Sequence, residues 1–422
     1  MKVDLNTTQV PSIYWFFIIL FVSHKIELIL NEEQRIYCCK AAGVARFSYN
    51  WALNQWKNQY ELYKNGQITS APNNQSLRKQ LNAIKKKDFP WMLEVTKYAP
   101  QQAIMNLGEA FSRFFKKTSQ YPQFKKKYKN DSFYLGNDVF KIDGFNLQIP
   151  KIKKKIKLKE KLRFNGKIVC AVVSRIAHKW FISVSVEVED QPKKTISENQ
   201  TIVGLDLGVT DFATLYDGSN CSKINGVKSY KAKFQCIKLL SRRLSKKEKD
   251  SNNKAKSKLK LAKLHMQVAN IRKDFIHKLT TELVNKYDVI VIETLNVKGM
   301  VKNHNLAQSI LDRSFYEFKR QLEYKSKMVG TTIFKADQWF ASSKLCSACN
   351  IKNENLKLSD RSWTCVCGVK HDRDENASKN LRKLYVDSLS MKVCGKKSTV
   401  QEQSVSEKTI LGEAKILTND QI

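Results

Sequence analysis

The chain has 422 residues, of which 42% are hydrophobic and 10% aromatic; that is enough for about two or three domains with real cores and excludes wholesale disorder. Lys and Arg number 75 against 39 Asp and Glu, a formal charge of +36 that calls for a polyanionic partner, nucleic acid before an anionic membrane surface. Only 14 of the cations are Arg, so sequence-blind phosphate contact by lysine outweighs base-edge reading by arginine.

Residues 1–23 contain the apolar run Ser12–Val22. It is too short to span a bilayer, which takes about 20 residues, and it lacks the cationic start and small-residue cleavage site of a signal peptide. It reads as a buried strand or as an extension outside the fold. His24–Leu30 reads as a strand, and the pattern from Val44 to Phe115 is helical. Trp51, Leu53, Trp56, Tyr60 and Tyr63, then Ile104, Leu107, Phe111, Phe114 and Phe115, recur at helical spacing. Core packing between helices explains them more simply than base stacking does.

Basic runs with interleaved apolar residues follow, at Phe124-Lys-Lys-Lys-Tyr128 and Ile152–Lys159. In the second, Ile152, Ile156 and Leu158 alternate in part with lysines, which predicts one apolar and one cationic side. Lys125, Lys126, Lys127, Lys153, Lys154 and Lys155 are therefore the candidate nucleic-acid contacts. Lys167–Ser174 and Lys179–Val188 read as further strands of a small barrel or sheet. Asp190–Gln200 reads as a linker, Thr201–Leu207 and Asp211–Tyr216 as strands, and Tyr230–Tyr287 as a Lys-rich two-helix hairpin broken near Asp250–Asn253. Asp288–Glu293 is a short buried strand, Leu311–Val329 a helix, Ile333–Ala336 a strand, and Ser388 onward a polar tail.

Two of the apolar strands carry a carboxylate, Asp206 and Glu293. Burying such a charge is costly unless a metal or partner compensates it. A third acid comes from His371-Asp-Arg-Asp-Glu-Asn-Ala377, which opens a helix; Asp372 and Glu375 fit a capping box, leaving Asp374 to face inward. Three carboxylates from two strands and a helix suit two Mg2+ ions about 3.5–4 Å apart, the arrangement that hydrolyses phosphodiesters.

Ten cysteines in this length form no disulfide framework, and the six scattered ones read as small apolar residues in a reducing compartment. Cys346-Ser-Ala-Cys349 and Cys365-Val-Cys367 have the separation of a four-thiolate structural zinc site. The tight second pair leaves two alternatives, a ribbon without metal or His371 as a substitute ligand.

These motifs resemble the TnpB (OrfB) insertion-sequence family, which is related to type V CRISPR effectors. The resemblance rests on Arg46–Leu53, Tyr121–Lys127, Gly204-Leu-Asp-Leu-Gly-Val-Thr-Asp-Phe-Ala213, Lys263–Lys278, Val291–Met300, Gln321–Lys325, Ser342–Cys349 and His371–Ala377, and spans roughly His24 to Leu384. It implies an α/β fold with an added β-barrel and helical insertion, and a RuvC-like nuclease domain of RNase H type with a zinc-ribbon insertion. By this resemblance residues 1–23 are an extension that need not be native, 24–43 and 133–190 a wedge-like barrel, and 44–132 a helical recognition insertion. Residues 200–340 and 371–387 would form the nuclease domain, 341–370 the zinc ribbon and 388–422 a flexible tail. The catalytic acids would be Asp206, Glu293 and Asp374, holding two Mg2+; Cys346, Cys349, Cys365 and Cys367 would hold Zn2+. The implied activity is metal-dependent DNA cutting guided by RNA from the transposon end, with target DNA, that RNA and a companion transposase as partners. It further implies no membrane partner and a place of action in the bacterial cytoplasm, at the nucleoid. A strand-transferring transposase and a non-catalytic regulator are the alternatives. Departures from the family pattern are the C-x-C spacing of the second knuckle, Thr294 where an Asp is common, and the first 23 residues.

Overall fold

The computed structural model describes residues 19–189, 193–194, 199–357 and 359–393. They form two compact units that divide near residue 190, where the sequence reads as a linker; most of that linker lies outside the described residues.

The first unit opens with strand β1 (Ile19–Ile29) and helices α1 (Glu32–Lys64), α2 (Asn74–Asp88) and α3 (Tyr98–Phe115), with a 3-10 turn at Pro90–Glu94. Strands β2 (Ser132–Gly136), β3 (Lys141–Asp143), β4 (Asn146–Gln148), β5 (Ile156–Leu158), β6 (Lys167–Ile176) and β7 (Lys179–Glu189) follow. All seven strands form one antiparallel sheet in the order β2-β6-β7-β1-β5-β4-β3. Burial alternates along β7, with Trp180, Ile182, Val184 and Val186 turned into the core, as a sheet with one covered face requires.

β1 starts at Ile19, earlier than the expected His24, because Ile19–Ser23 pair in register with Glu189–Ser185. The last residues of the apolar run thus belong to the sheet; residues 1–18 lie outside the described ones. α1 begins at Glu32, where Asn31 and Gln34 form a reciprocal capping box, so the expected boundary at 43/44 falls inside a helix. Trp56 stacks on Phe111 of α3 with ring centroids 4.2 Å apart, and Leu53, Ile104 and Leu107 are buried, as core packing requires. Tyr60, Tyr63 and Phe115 are instead exposed.

The second unit contains β8 (Ile202–Leu207), β9 (Ala213–Tyr216), β10 (Cys221–Ile224), α4 (Ser229–Ser245), α5 (Asn252–Lys286), β11 (Val289–Ile292) and the short α6 (Val297–Met300). It continues through α7 (His304–Arg313), α8 (Phe315–Val329), β12 (Thr332–Lys335), β13 (Ser362–Thr364), β14 (Lys370–Asp372) and α9 (Arg373–Val393). Its main sheet has the order β10-β9-β8-β11-β12. β8, β9 and β10 are an antiparallel meander, while β11 lies parallel to both β8 and β12. Val203, Leu205, Ile290 and Ile292 face a core that includes Leu279 and Leu283 of α5 and Phe315 and Phe318 of α8. Ile202, Val289 and Val291 face Leu381 of α9 on the other side. Cover on both faces explains why β8 and β11 are continuous apolar runs. β13 and β14 form a separate hairpin.

The Lys-rich hairpin appears as α4 and α5, separated at residues 246–251. The helix expected over Leu311–Val329 is broken at Ser314, whose φ of 55° is left-handed. α9 runs on to Val393, past the boundary expected at 388, and residues 394–422 lie outside the described ones. Among the described residues no helix is long and apolar enough to cross a membrane.

Candidate active site

Asp206 is the penultimate residue of β8, and Glu293 directly follows the last residue of β11. The two strands are parallel with Ile292 beside Leu205, so the next step along each brings Glu293 beside Asp206. α9 crosses the same end of the sheet and carries Asp374 in its first turn. Gly204 permits that crossing. It points to the same side of β8 as Asp206. A Cβ there would collide with the Ser378 carbonyl oxygen and lie 2.6 Å from the Arg382 nitrogen, both on α9.

The electrostatics follow from this convergence. Burial, then the facing Glu293 and Asp374 carboxylates, raise the Asp206 carboxyl well above the usual carboxylate range. A buried acid pressed by two others is a site in want of positive charge, and an oxygen-only donor set suits a hard divalent cation. Ser342, buried in the loop after β12, donates its hydroxyl to Glu293 Oε1. Arg361 Nη1 lies 3.8 Å from Asp374 Oδ2. Asp372 accepts from the backbone N–H groups of Asp374 (3.0 Å) and Glu375 (3.1 Å), the capping role expected of it. Glu375 turns toward Lys223 Nζ, at 3.5 Å, so only half of the expected box is built. Thr294, at the family's common Asp position, donates to the Ala336 carbonyl (2.7 Å) and ties the end of β11 to the chain leaving β12.

A second polar network, absent from the sequence reading, supports the loop after Asp206. Buried Arg313 donates to the carbonyls of Val209 (Nε, 3.0 Å) and Thr210 (Nη2, 2.7 Å). Its neighbour Asp312 accepts from the N–H groups of Tyr230 (3.1 Å) and Lys231 (3.3 Å) at the start of α4 and from Arg272 of α5 (2.9 Å). The same two residues thus fix the loop after Asp206 and the root of the Lys-rich hairpin. No periodicity or motif announces them; the one sequence signal is an adjacent charged pair closing α7.

Cys346, Cys349, Cys365 and Cys367 bring their sulfurs within 4.8 Å of one another, the one such group of three or more potential metal ligands among the described residues; the three acids sit wider apart than that. A tetrahedral ion about 2.3 Å from each thiolate spaces sulfurs about 3.8 Å apart. Cys346 and Cys367 are 3.8 Å apart, Cys349 and Cys365 3.5 Å. The short C-x-C loop therefore still closes the set. His371 Nε2 lies 3.1 Å from the Cys346 sulfur, as a partner of the thiol and not in place of one. Burial works to raise the Cys346 thiol, but the backbone N–H groups of Cys349 and Ala348 and the His371 ring bring it down to about 6, which favours the metal-binding thiolate.

A groove of about 420 Å3 opens beside Glu293, floored by Leu207, Phe315 and Phe318 and rimmed by Tyr316, Lys298 and Lys319. Tyr316 is 70% exposed. In the first unit, Lys153, Lys154 and Lys155 are exposed while Ile152, Ile156 and Leu158 are buried, the two-sided segment expected; Gln34 Nε2 donates to the carbonyls of Lys154 and Lys155 (3.2 Å each). Lys126 and Lys127 are exposed too, and Lys125 exchanges backbone bonds with the Asn50 side chain (2.8 and 3.0 Å) while its ammonium sits 4.3 Å from the centre of the Tyr49 ring.

The comparisons with known proteins agree with this layout. The fold is similar to that in the cryo-EM structure of the Cas12f1–sgRNA–target DNA complex, with a TM-score of 0.53 and 17% identity over 83% of each chain. Residues 183–304 match a family model described as "Probable transposase", residues 315–381 one described as "Cas12f1-like, TNB domain", and residues 22–65 one described as "Helix-turn-helix domain". In this chain that last segment is most of β1 and one continuous 33-residue helix. A Streptomyces pristinaespiralis protein named "Putative RNA-guided DNA endonuclease" is 31% identical over 383 residues, 89% of this chain and 91% of that protein. Escherichia coli "Putative RNA-guided DNA endonuclease InsQ" is 31% identical over 85% of this chain and 90% of its own length. The class is thus that of Cas12f1-like folds, with the converging Asp206, Glu293 and Asp374 as its candidate centre. The chain belongs to the TnpB (OrfB) insertion-sequence family.

Proposed function

We propose that the protein is a metal-dependent DNA endonuclease, directed to its target by an RNA from the end of its own transposon. The observation that carries this reading is the buried Asp206, its carboxyl held high by burial and by Glu293 and Asp374. A meander of three strands continued by two parallel ones supports an RNase H-like, RuvC-type nuclease domain, and the seven-stranded antiparallel sheet of the first unit supports a wedge-type barrel. Two Mg2+ ions held by Asp206, Glu293 and Asp374 would supply an activated water and stabilise the leaving oxygen. The chain's own contribution is to fix the acids: strand register sets Glu293, the Asp372 cap sets Asp374, and Ser342 and Arg313 hold the flanking loops. Cys346, Cys349, Cys365 and Cys367 would hold a Zn2+ that would keep the ribbon closed. Lys125–Lys127 and Lys153–Lys155 follow nucleic-acid backbones, and delegating sequence choice to a guide RNA fits a chain whose cations are mostly lysine. A companion transposase is a further partner in this proposal, and the place of action is the bacterial cytoplasm, at the nucleoid.

The test is to sequence RNA that co-purifies with the protein and then to supply DNA matching it, with Mg2+. Double-strand breaks that vanish in Asp206→Ala support the reading. Joined donor–target products in place of breaks would show a transposase, and cutting by Asp206→Ala would show that the acids are misassigned.

A further inference from the structure

The loop Ser342–Ser347 touches both candidate metal centres. At one end Ser342, 4% exposed, donates its hydroxyl to Glu293. Four residues on, Cys346 supplies a thiolate to the ribbon. Between them the backbone is held by two asparagines of α9, each 1% exposed. Asn380 Nδ2 donates to the carbonyls of Ser342 (2.8 Å) and Leu345 (2.6 Å). Asn376 Nδ2 donates to Leu345 O (2.6 Å), and its Oδ1 accepts from Ser347 N (2.9 Å). α9 is also the helix that carries Asp374.

Buried amides with this many partners hold one geometry, because each bond lost would strand a polar group away from water. The loop can therefore move only if α9, the first cysteine knuckle or the Glu293 side chain moves with it. Hydrogen-bond partners of metal-ligating carboxylates orient them, and their loss costs about 10–100-fold in metal affinity.

We infer that Ser342 is a positioning residue for Glu293, and that the four-thiolate site, through the clamped loop Ser342–Ser347, sets how tightly the acidic centre holds its divalent ions. The nuclease centre is then competent only when the ribbon is closed. The inference rests on the reading of Asp206, Glu293 and Asp374 as metal ligands.

Mn2+ is the probe, its free concentration followed by electron paramagnetic resonance during titration of the full-length, zinc-replete protein. Ser342→Ala keeps every thiol and every carboxylate. It is expected to retain zinc and thermal midpoint while binding Mn2+ at least about tenfold more weakly. Ser342→Thr, which restores the hydroxyl, is expected to recover most of that loss. Cys349→Ser should weaken Mn2+ binding to a similar degree, and adding Ser342→Ala to it should cost little more, since the two act through one loop. Mn2+ affinity within twofold of wild type in Ser342→Ala overturns the inference, and so does full Mn2+ affinity in a Cys349→Ser protein that has lost its zinc. If Cys349→Ser fails to fold, the Ala and Thr pair at Ser342 decides the matter. Asp206→Ala separates the two levels of argument: undiminished Mn2+ binding there refutes the acidic centre itself, not its coupling to the ribbon.

Discussion

Gly204→Ala is the most informative single substitution, because one methyl group tests how the acids are brought together. The added Cβ would meet the Ser378 carbonyl oxygen and lie 2.6 Å from the Arg382 nitrogen. Ordinary contact needs about 3.5 Å, so α9 and β8 must separate by at least about 0.9 Å. The obstacles are backbone atoms, which cannot rotate away. Overpacking of this kind costs about 1–3 kcal/mol. Against it stands the gain from replacing glycine within a strand, about 0.5–1 kcal/mol. The clash wins, with a net loss of about 1 kcal/mol. The larger effect is on Asp374, which travels with α9: a displacement of about 1 Å in a catalytic constellation costs on the order of 100-fold in rate. Urea unfolding reads the first quantity, and Mg2+-dependent cutting of guide-matched DNA by the reconstituted complex reads the second. A Gly204→Ala protein as stable as wild type and as active would refute the argument that close α9–β8 packing assembles the site.

Asp206→Asn should raise the stability of the metal-free protein. The folded carboxyl titrates above its unfolded value, so folded wild type holds the proton more tightly and loses stability as pH climbs from about 4 through that raised value. The variant escapes this loss. Thermal melts in chelator should show its advantage growing with pH, and Mg2+ should stabilise wild type alone; a pH-independent difference would contradict the electrostatics. Zinc analysis should find one ion per chain, and Cys365→Ser should lose it and expose the β13–β14 amides to hydrogen exchange; full protection without metal would show that the ribbon closes unaided. Tyr316→Ala should raise the KM for cleavage about tenfold with little change in kcat, the size of one lost base–aromatic stack, and an unchanged KM would exclude the groove beside Glu293 from the DNA path.

What could be read from the sequence was what is local. β8, but for Asp206, and β11 are apolar because both faces are covered, and a carboxylate in or just after such a run stands out against it. The two cysteine pairs carry their geometry in their spacing, and the α4–α5 hairpin its break at residues 246–251. Other features depend on parts of the chain that meet only in three dimensions. β1 extends back to Ile19 because β7 is long enough to pair with it. Ser314 interrupts a continuous helical pattern with a left-handed residue that its side chain does not announce. β10, only Cys221–Ile224, is too short and too exposed to alternate visibly, and it exists because β9 offers it an edge. Ser342, Asn376, Asn380, Asp312 and Arg313 are ordinary polar residues in sequence. Burial and the carbonyls they reach make them supports of the site.

The charge of +36 sharpens the point, because it does little for Asp206. Solvated lysines act over a screening length of about 8 Å at physiological salt. The largest positive influence on Asp206 is Arg373, and it counts for less than either neighbouring acid. A lysine packed against Asp206 would have neutralised the centre at small cost in sequence, and it would also have filled the place of a divalent ion. The chain instead presses buried Asp206 with two neighbouring acids, the three propped by a glycine, a helix cap and a serine that bring no positive charge. That arrangement is unfavourable in the isolated protein and becomes favourable only when cations arrive. In the proposed reaction the exposed lysines hold the nucleic-acid backbone, while the acids stay open for the metal that a phosphate in their midst would share.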